Sequence, residues 1–211
     1  MSQILDDIRD GIIEGQVDHV VSRVQQALDE ELMPGDILND GLIAAMAEVG
    51  RRYEAKEFFV PEMLIAASAM KKGMNVLKPH LVSSNVKPRG TVIAGTVKGD
   101  LHDIGKNLVC VMLEGSGFEI YDLGVDVSAE QFLEALRSRE ANIVAMSALL
   151  TTTMVQMRTT MEALSESGVR NQVKVLIGGA PVNERFAREI GADGYAPDAY
   201  QSVQVANSLV E

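Results

Sequence analysis

The 211-residue sequence has a single cysteine, three histidines and no tryptophan. One thiol cannot form an internal disulfide, and the position of Cys110 in the apolar run NLVCVML predicts a buried core residue. The sequence lacks any apolar run near the length of about 20 residues that a membrane span needs. It also lacks the charged and apolar zones of a secretory signal, so we expect a cytoplasmic protein that does not enter a membrane.

Positive charge is scarce, because 19 Lys and Arg residues stand against 30 Asp and Glu residues and the formal net charge is −11. A nucleic-acid surface needs a basic stripe, commonly interleaved with aromatic side chains, and the few basic residues here are scattered. The composition therefore disfavours a nucleic-acid partner.

The first part of the chain shows only helical periodicity. Apolar residues at three- and four-residue spacing predict four helices, over residues 4–13, 17–32, 36–57 and 60–80. Pro34 and Gly35 separate the second helix from the third, and Asp36 is the predicted N-cap of the third. The segment VSSNVKPRG, residues 82–90, has the composition of a linker. We predict a helical cap domain, residues 1–85, followed by a second domain, residues 90–211.

The second part of the chain alternates between strand and helix patterns. Apolar segments predict strands over residues 91–97, 118–124, 142–148, 173–179 and 193–197. Strands that are apolar on both faces and separated by helices indicate a parallel sheet covered on both sides. We therefore predict an α/β protein, with an N-terminal four-helix bundle before a flavodoxin-like, doubly wound five-stranded sheet of order 2-1-3-4-5.

Unusual residues follow the predicted strands at the carboxyl edge, where such sheets bind ligands. Asp100 and His102 follow strand 1, Ser147 ends strand 3, and Gly178 and Gly179 end strand 4. Strand 3 does not end in the aspartate of a response-regulator receiver. The glycine spacing after strand 1 fits neither a phosphate loop nor a dinucleotide fingerprint. A zinc site with only protein ligands is also disfavoured, because the other two histidines lie in the helical part.

A single histidine can still bind a metal whose other ligands come from a macrocycle. The pattern Asp100-x-His102-x-x-Gly105, with Ser147-x-Leu149 after 41 intervening residues and Gly178-Gly179 after a further 28, resembles cobalamin-binding domains that hold the cofactor base-off with histidine on cobalt. The helical part in front resembles the methyl-carrying corrinoid proteins and the matching module of methionine synthase. The segments GRRYEAKEFFVPEML, GDLHDIGKNLV, YDLGVDV and GGAPV carry this resemblance over nearly the whole chain.

The resemblance implies a role for each matching residue. His102 is the cobalt ligand, Asp100 orients it, and Thr153 stands where methionine synthase has the serine of a His–Asp–hydroxyl relay. The remaining cofactor contacts that it implies are Leu101, Asp103, Ile104 and Gly105 around the histidine, and Ser147, Leu149, Thr151, Gly178, Gly179 and Ala199 around the nucleotide tail. In the helical part, Phe59 and Leu64 are expected to cover the upper face of the corrin ring.

By the same resemblance, the protein is a methyl carrier rather than an autonomous enzyme. Its cofactor would alternate between methylcobalamin, cob(I)alamin and cob(II)alamin. Its partners would be a substrate-specific methyltransferase, an acceptor methyltransferase using tetrahydrofolate or a thiol, and a reductive activase. Methylamines, betaine, methanol and methoxyarenes all remain open as methyl donors. Two alternatives also remain open at this point, a cobalamin-dependent sensor and the small subunit of a cobalamin mutase.

Overall fold

The computed structural model describes residues 3–84 and 86–210, and within it the chain separates into two compact units. The helical unit extends to Pro88 and includes Gly115–Gly117, whereas the sheet unit consists of Arg89–Glu114 and the chain from Phe118 onward. The predicted domain bounds, 1–85 and 90–211, stay a prediction. Asn85 in the predicted linker, and the terminal residues Met1, Ser2 and Glu211, lie outside the described residues.

The helical unit contains the four predicted helical rods. They are α1, α2, a composite third rod and α5, and their apolar faces pack together because each helix carries buried residues at three- and four-residue spacing. The bounds are α1 Gln3–Ile13, α2 Val17–Asp29, α3 Pro34–Asp36, a π-helical segment Ile37–Ile43, α4 Ala44–Glu54 and α5 Val60–Ser83.

The composite rod begins earlier than the sequence predicts. Asp36 has helical dihedral angles, φ −72° and ψ −41°, so the prediction that it is an N-cap is wrong. The cap position belongs to the extended residue Met33, and Pro34 occupies the first helical position. Proline is suited to that position because it lacks the N–H group that a capping side chain would otherwise have to bind.

The sheet unit contains a five-stranded parallel sheet with the predicted order, β2-β1-β3-β4-β5. The order reverses between β1 and β3, which is where doubly wound sheets open a crevice at their carboxyl edge. Each strand lies within its predicted range: β1 Thr91–Thr96, β2 Glu119–Asp122, β3 Ile143–Ser147, β4 Lys174–Gly178 and β5 Gly194–Ala196.

Helices cover both faces of the sheet, as buried parallel strands require. Alternate residues of β1 enter different cores, since Ile93 packs among residues of α7, α8 and α9, whereas Val92 packs among residues of α6 and α10. The helices are α6 Ile104–Gly115, α7 Ala129–Ser138, α8 Met154–Glu166, α9 Glu184–Ile190 and α10 Ala199–Val210. No helix in the described parts of the chain is long and apolar enough to cross a membrane.

Candidate functional site

The loop between β1 and α6, residues 97–103, carries Asp100 and His102 at the carboxyl edge of the sheet. We call it the histidine loop. It leaves β1 through a turn in which Gly99 has φ +80° and the Asp100 amide donates to the Val97 carbonyl, 3.1 Å away. The loop lies next to the β3–α8 loop because β1 and β3 are neighbours in the sheet. Two segments distant in sequence thereby form one site.

The carboxylate of Asp100 joins these two loops. It is fully buried, and its Oδ1 accepts from the His102 ring nitrogen Nδ1 at 2.7 Å and from the His102 amide at 3.1 Å. Its Oδ2 accepts from the Thr153 hydroxyl at 2.6 Å and from the Leu149 amide at 2.8 Å. The three residues of the predicted relay, His102, Asp100 and Thr153, are therefore in direct contact, although their catalytic roles stay a prediction.

The Asp100 carboxyl group is ionised in this environment. Burial by itself raises the pKa of a carboxyl group, since it removes the charged form from water. Here the hydrogen bonds from Thr153, Leu149 and His102 outweigh burial and hold the pKa of Asp100 well below its usual range. The ionised carboxylate therefore places a negative charge next to Nδ1 of the imidazole.

His102 binds Asp100 through only one of its two ring nitrogens. Half of its side chain is exposed, in contrast to the buried Asp100. Because Nδ1 is bound to the carboxylate, Nε2 is the nitrogen left to bind a metal. A carboxylate on Nδ1 fixes the ring orientation and raises the basicity of the ligating nitrogen.

Large apolar side chains are exposed at the edge of the sheet that carries this histidine. Within the described part of the sheet unit, the exposed large hydrophobic residues all come from the histidine loop, the start of α6, and the segment from the end of β3 to the first turn of α8. They are Leu101, Ile104, Leu149, Leu150 and Val155, and we call them the apolar collar. Exposed apolar groups that cluster in this way mark a ligand or interaction surface.

The predicted tail-contact residues occupy different places around the same edge. Ser147 follows Ile143 and Ala145 on the sheet face that packs under α6 and α10, and its register partner on β4 is Gly178. Gly179 follows, with φ +128°. Ala199 is buried at the start of α10, whereas Thr151 is exposed in the β3–α8 loop. Their contacts with a nucleotide tail stay a prediction.

Three further predicted residues are exposed. Asp103 precedes α6, and its side chain accepts a hydrogen bond from the Asn107 amide group at 3.1 Å. In the helical unit, Phe59 directly precedes α5 and Leu64 lies near its start, with 62% and 47% of their surface exposed. Their predicted contact with the corrin ring stays a prediction.

Sequence reasoning assigned no role to several residues that hold the site in place. The Thr96 hydroxyl donates to the His102 carbonyl at 2.8 Å, and Asp126 accepts from the Gly99 amide at 2.7 Å. The ammonium group of Lys106 is buried and pairs with Asp122 at the end of β2. Asp122 and Asp126 both lie in the motif YDLGVDV, and this motif was the sequence signal that could have identified them. Thr96 carried no comparable signal, because β1 has another hydroxyl residue, Thr91, at its other end.

The site fits a metal that brings most of its own ligands. Among residues 3–84 and 86–210, no three His, Cys, Asp or Glu side chains lie close enough to hold a metal ion by themselves. Cys110 is buried, and burial raises the pKa of its thiol to about 12, so it does not supply a thiolate. Beside His102, a Cβ on Gly105 would meet nothing within 4 Å, so open space adjoins the apolar collar. A half-exposed histidine with Nε2 left for a metal, exposed apolar side chains at the same edge and open space are what a planar macrocycle needs.

Comparison with known proteins identifies the family to which the chain belongs. Two family models, both described as a B12 binding domain, match residues 90–204 and 4–78. The dimethylamine corrinoid protein 2 of Methanosarcina acetivorans is 39% identical over 209 residues, which cover 99% of this chain and 96% of the relative. The trimethylamine corrinoid protein 2 of the same organism is 40% identical over 211 residues, covering 99% and 97%.

A solved structure extends this similarity to the fold. A chain of the methanol:cobalamin methyltransferase complex MtaBC from Methanosarcina barkeri matches with a TM-score of 0.88 and 32% identity, over 99% of this chain and 80% of that one. The family models, the relatives and the fold agree, and the cofactor they indicate is a cobalamin. The chain belongs to the family of corrinoid proteins built on the B12 binding domain.

Proposed function

We propose that this corrinoid protein carries a methyl group on the cobalt of its cofactor between two methyltransferases, one specific for the methyl donor and one for the acceptor. The observation that carries the proposal is the buried Asp100 carboxylate bound to Nδ1 of the half-exposed His102, which leaves Nε2 for a metal at an edge that also carries the apolar collar. The names of similar proteins support it, since they include methylamine corrinoid proteins and a methanol:cobalamin methyltransferase complex.

The bound corrinoid supplies reversible methyl transfer at cobalt, and the residues of this chain bind, orient and shield it. His102 is the proposed lower ligand, in place of the cofactor's own base. Asp100 holds the proton on Nδ1, so that Nε2 keeps its lone pair for the metal. Thr153 donates to Asp100 and keeps that carboxylate in position. The collar would exclude water from the bound cofactor.

The other predicted contacts divide between the cofactor's tail and its upper face. We assign the displaced nucleotide tail to the carboxyl edge near Ser147, Gly178, Gly179 and Ala199. Gly178 and Gly179 lack side chains and therefore allow close backbone approach. The exposed residues Phe59 and Leu64 are proposed to shield the upper, methyl-bearing face.

The lower ligand is tested by electron paramagnetic resonance of the protein loaded with cob(II)alamin. The wild type is expected to show coupling to one histidine nitrogen, and His102→Ala is expected to lose it. Histidine labelled with ¹⁵N in the protein separates this nitrogen from that of the cofactor's base. Coupling to the cofactor's own base in the wild type would contradict the assignment.

The carrier role is tested by discharge of the methyl group. Methylcobalamin bound to the protein should be stable in the dark and should lose its methyl group only when a cognate methyltransferase and acceptor are added. Loading is then assayed with methylamines, methanol, betaine and methoxyarenes, each with its candidate methyltransferase. Tight binding of adenosylcobalamin, with a change of assembly state on photolysis, would favour a sensor and contradict the carrier role.

A further inference from the structure

Thr96 is a buried hydroxyl residue to which the proposed chemistry assigns no role. It has no exposed surface, and it ends a strand whose other buried residues have no polar side chain. The buried hydroxyls of Thr160 and Ser202 bond to carbonyls of their own helices, three or four residues earlier. The Thr96 hydroxyl instead donates to a residue outside its own strand, the carbonyl oxygen of His102 in the histidine loop, at 2.8 Å. A valine would fill the same space in the strand, so the hydroxyl is what distinguishes this position.

The backbone of Thr96 is fixed on both sides, so its side chain projects from a rigid point. Its amide donates to the Gly124 carbonyl at 3.0 Å, and its carbonyl accepts from the Val127 amide at 2.9 Å. On the other side, its register partner is Ser147 of β3. The hydrogen bond to His102 therefore ties the ligand residue's own peptide group to the edge of the sheet.

Asp126 holds the same loop from a second direction. Its Oδ1 accepts from the Gly99 amide at 2.7 Å, and its own amide donates to the Asp100 carbonyl at 3.0 Å. Asp126 has φ +56°, a left-handed conformation that aspartate and asparagine tolerate better than most residues. In this conformation both the amide and the carboxylate of Asp126 form hydrogen bonds with the histidine loop.

We infer that Thr96 and Asp126 are positioning residues that hold the histidine loop in its ligand-binding geometry before the cofactor arrives. The inference rests on the proposed role of His102 as the lower ligand. The hydrogen bonds of both residues to the loop go to the backbone of residues 99–102. Asp100 orients the ring, while these two residues place the peptide from which the ring projects. A site held in this way loses less conformational entropy when the metal binds.

The test compares variants that remove each contact with variants that keep it. Thr96→Val keeps the branched shape and removes the donor, whereas Thr96→Ser keeps the donor. Asp126→Gly tolerates the positive φ and removes the carboxylate, whereas Asp126→Asn keeps both the conformation and an acceptor oxygen. The probe is cob(II)inamide, which lacks a base of its own, so any nitrogen bound to cobalt comes from the protein. Thermal unfolding of each apoprotein reports its stability separately.

The ratio of histidine-bound to histidine-free cobalt, measured by electron paramagnetic resonance, is expected to fall about fivefold in Thr96→Val and in Asp126→Gly. Thr96→Ser and Asp126→Asn should stay within about twofold of the wild type. In the apoproteins, the amides of Asp100 and His102 should exchange hydrogen faster in the first pair of variants only. Wild-type ratios and exchange rates in Thr96→Val and Asp126→Gly would overturn the inference, even if both variants were less stable.

Adding His102→Ala to the same experiments distinguishes a failure of this inference from a failure of the proposed function. If His102→Ala keeps the nitrogen coupling, His102 is not the lower ligand and the proposed function fails on that point. Amide exchange in the apoproteins then still decides whether Thr96 and Asp126 hold the loop, because that measurement requires no cofactor.

Discussion

Two glycines at the carboxyl edge of the sheet have opposite reasons for being glycine. Gly179 has φ +128°, and a Cβ there would lie 1.8 Å from the Ala148 carbonyl oxygen. The fold itself therefore requires glycine at this position. Gly105 is helical, in the first turn of α6, and a Cβ there would meet nothing within 4 Å. The fold does not require glycine at this position, and under the proposed function the cofactor occupies the open space beside it.

We predict that Gly105→Ala changes stability and cofactor binding in opposite directions. The apoprotein should gain up to about 1 kcal/mol, since alanine is the better helix former. Cobalamin binding should weaken by about tenfold or more, because the added methyl group enters a closely packed interface. Thermal unfolding of the apoprotein and spectrophotometric titration with cobalamin measure the two effects. Gly179→Ala is the comparison variant, expected to lose stability, and wild-type affinity in Gly105→Ala would show that this space is not used.

The buried charge of Asp100 predicts a pH dependence of apoprotein stability. Its pKa is lower in the folded state than the usual value near 4, so the unfolded chain binds more protons in the acid range. The resulting stabilisation is complete above about pH 4 and is lost as pH falls toward the folded-state pKa. In Asp100→Asn this contribution is absent. Urea unfolding from pH 7 to 3 should therefore show the wild-type advantage over this variant shrinking below about pH 4. A constant difference would contradict the assignment.

At the scale of elements, β3 and β4 end side by side and present Ser147 and Gly178 as register partners. If the nucleotide tail lies there, Ser147→Leu should weaken binding of cobalamin by more than about tenfold, because a large side chain would occupy the slot. Binding of cobinamide, which lacks the tail, should change by less than about twofold. Thr159→Leu, on the exposed face of α8, is the matched control. Equal weakening for both ligands would mean that the slot lies elsewhere.

Periodicity predicted the helices and strands, because burial on one face or on both faces leaves a regular apolar pattern. It did not predict the π-helical segment Ile37–Ile43, since a change in hydrogen-bond register adds no polar or apolar signal. It also carried no signal for the burial of Lys106. The lysine is buried because Asp122, from the neighbouring strand β2, neutralises it.

The site was predicted only as far as local motifs extend. Asp100 and His102 are two residues apart, so a motif records them together. Thr96 and Asp126 act on the same loop, but Asp126 arrives from the end of β2 through the pairing of β2 with β1. Such contacts depend on strand order and register, and a linear pattern of residue types does not contain them.

At the scale of the whole molecule, each unit exposes its own group of large apolar residues. The sheet unit has the apolar collar. In the described part of the helical unit, four exposed large hydrophobic residues lie directly before α5 or near its start, and we call them the α5 group: Phe59, Val60, Leu64 and Ile65. A corrin ring has two faces, and under the proposed function each group serves one of them. The collar would then contribute to affinity, together with His102 and the tail slot, and the α5 group to shielding.

This division predicts that affinity and shielding are separable. Phe59→Ala combined with Leu64→Ala should leave the dissociation constant for cobalamin within about threefold, because the ligand histidine and the tail contacts are intact. The upper axial position should become more accessible, so cyanide should replace water at the cobalt of bound aquacobalamin several times faster. Stopped-flow absorbance measures this exchange. Met33→Ala removes another exposed apolar side chain of the helical unit, outside α5, and is expected to match the wild type. If the double variant exchanges at the wild-type rate, the α5 group does not cover the cofactor, and its exposed surface is then free to contact a methyltransferase.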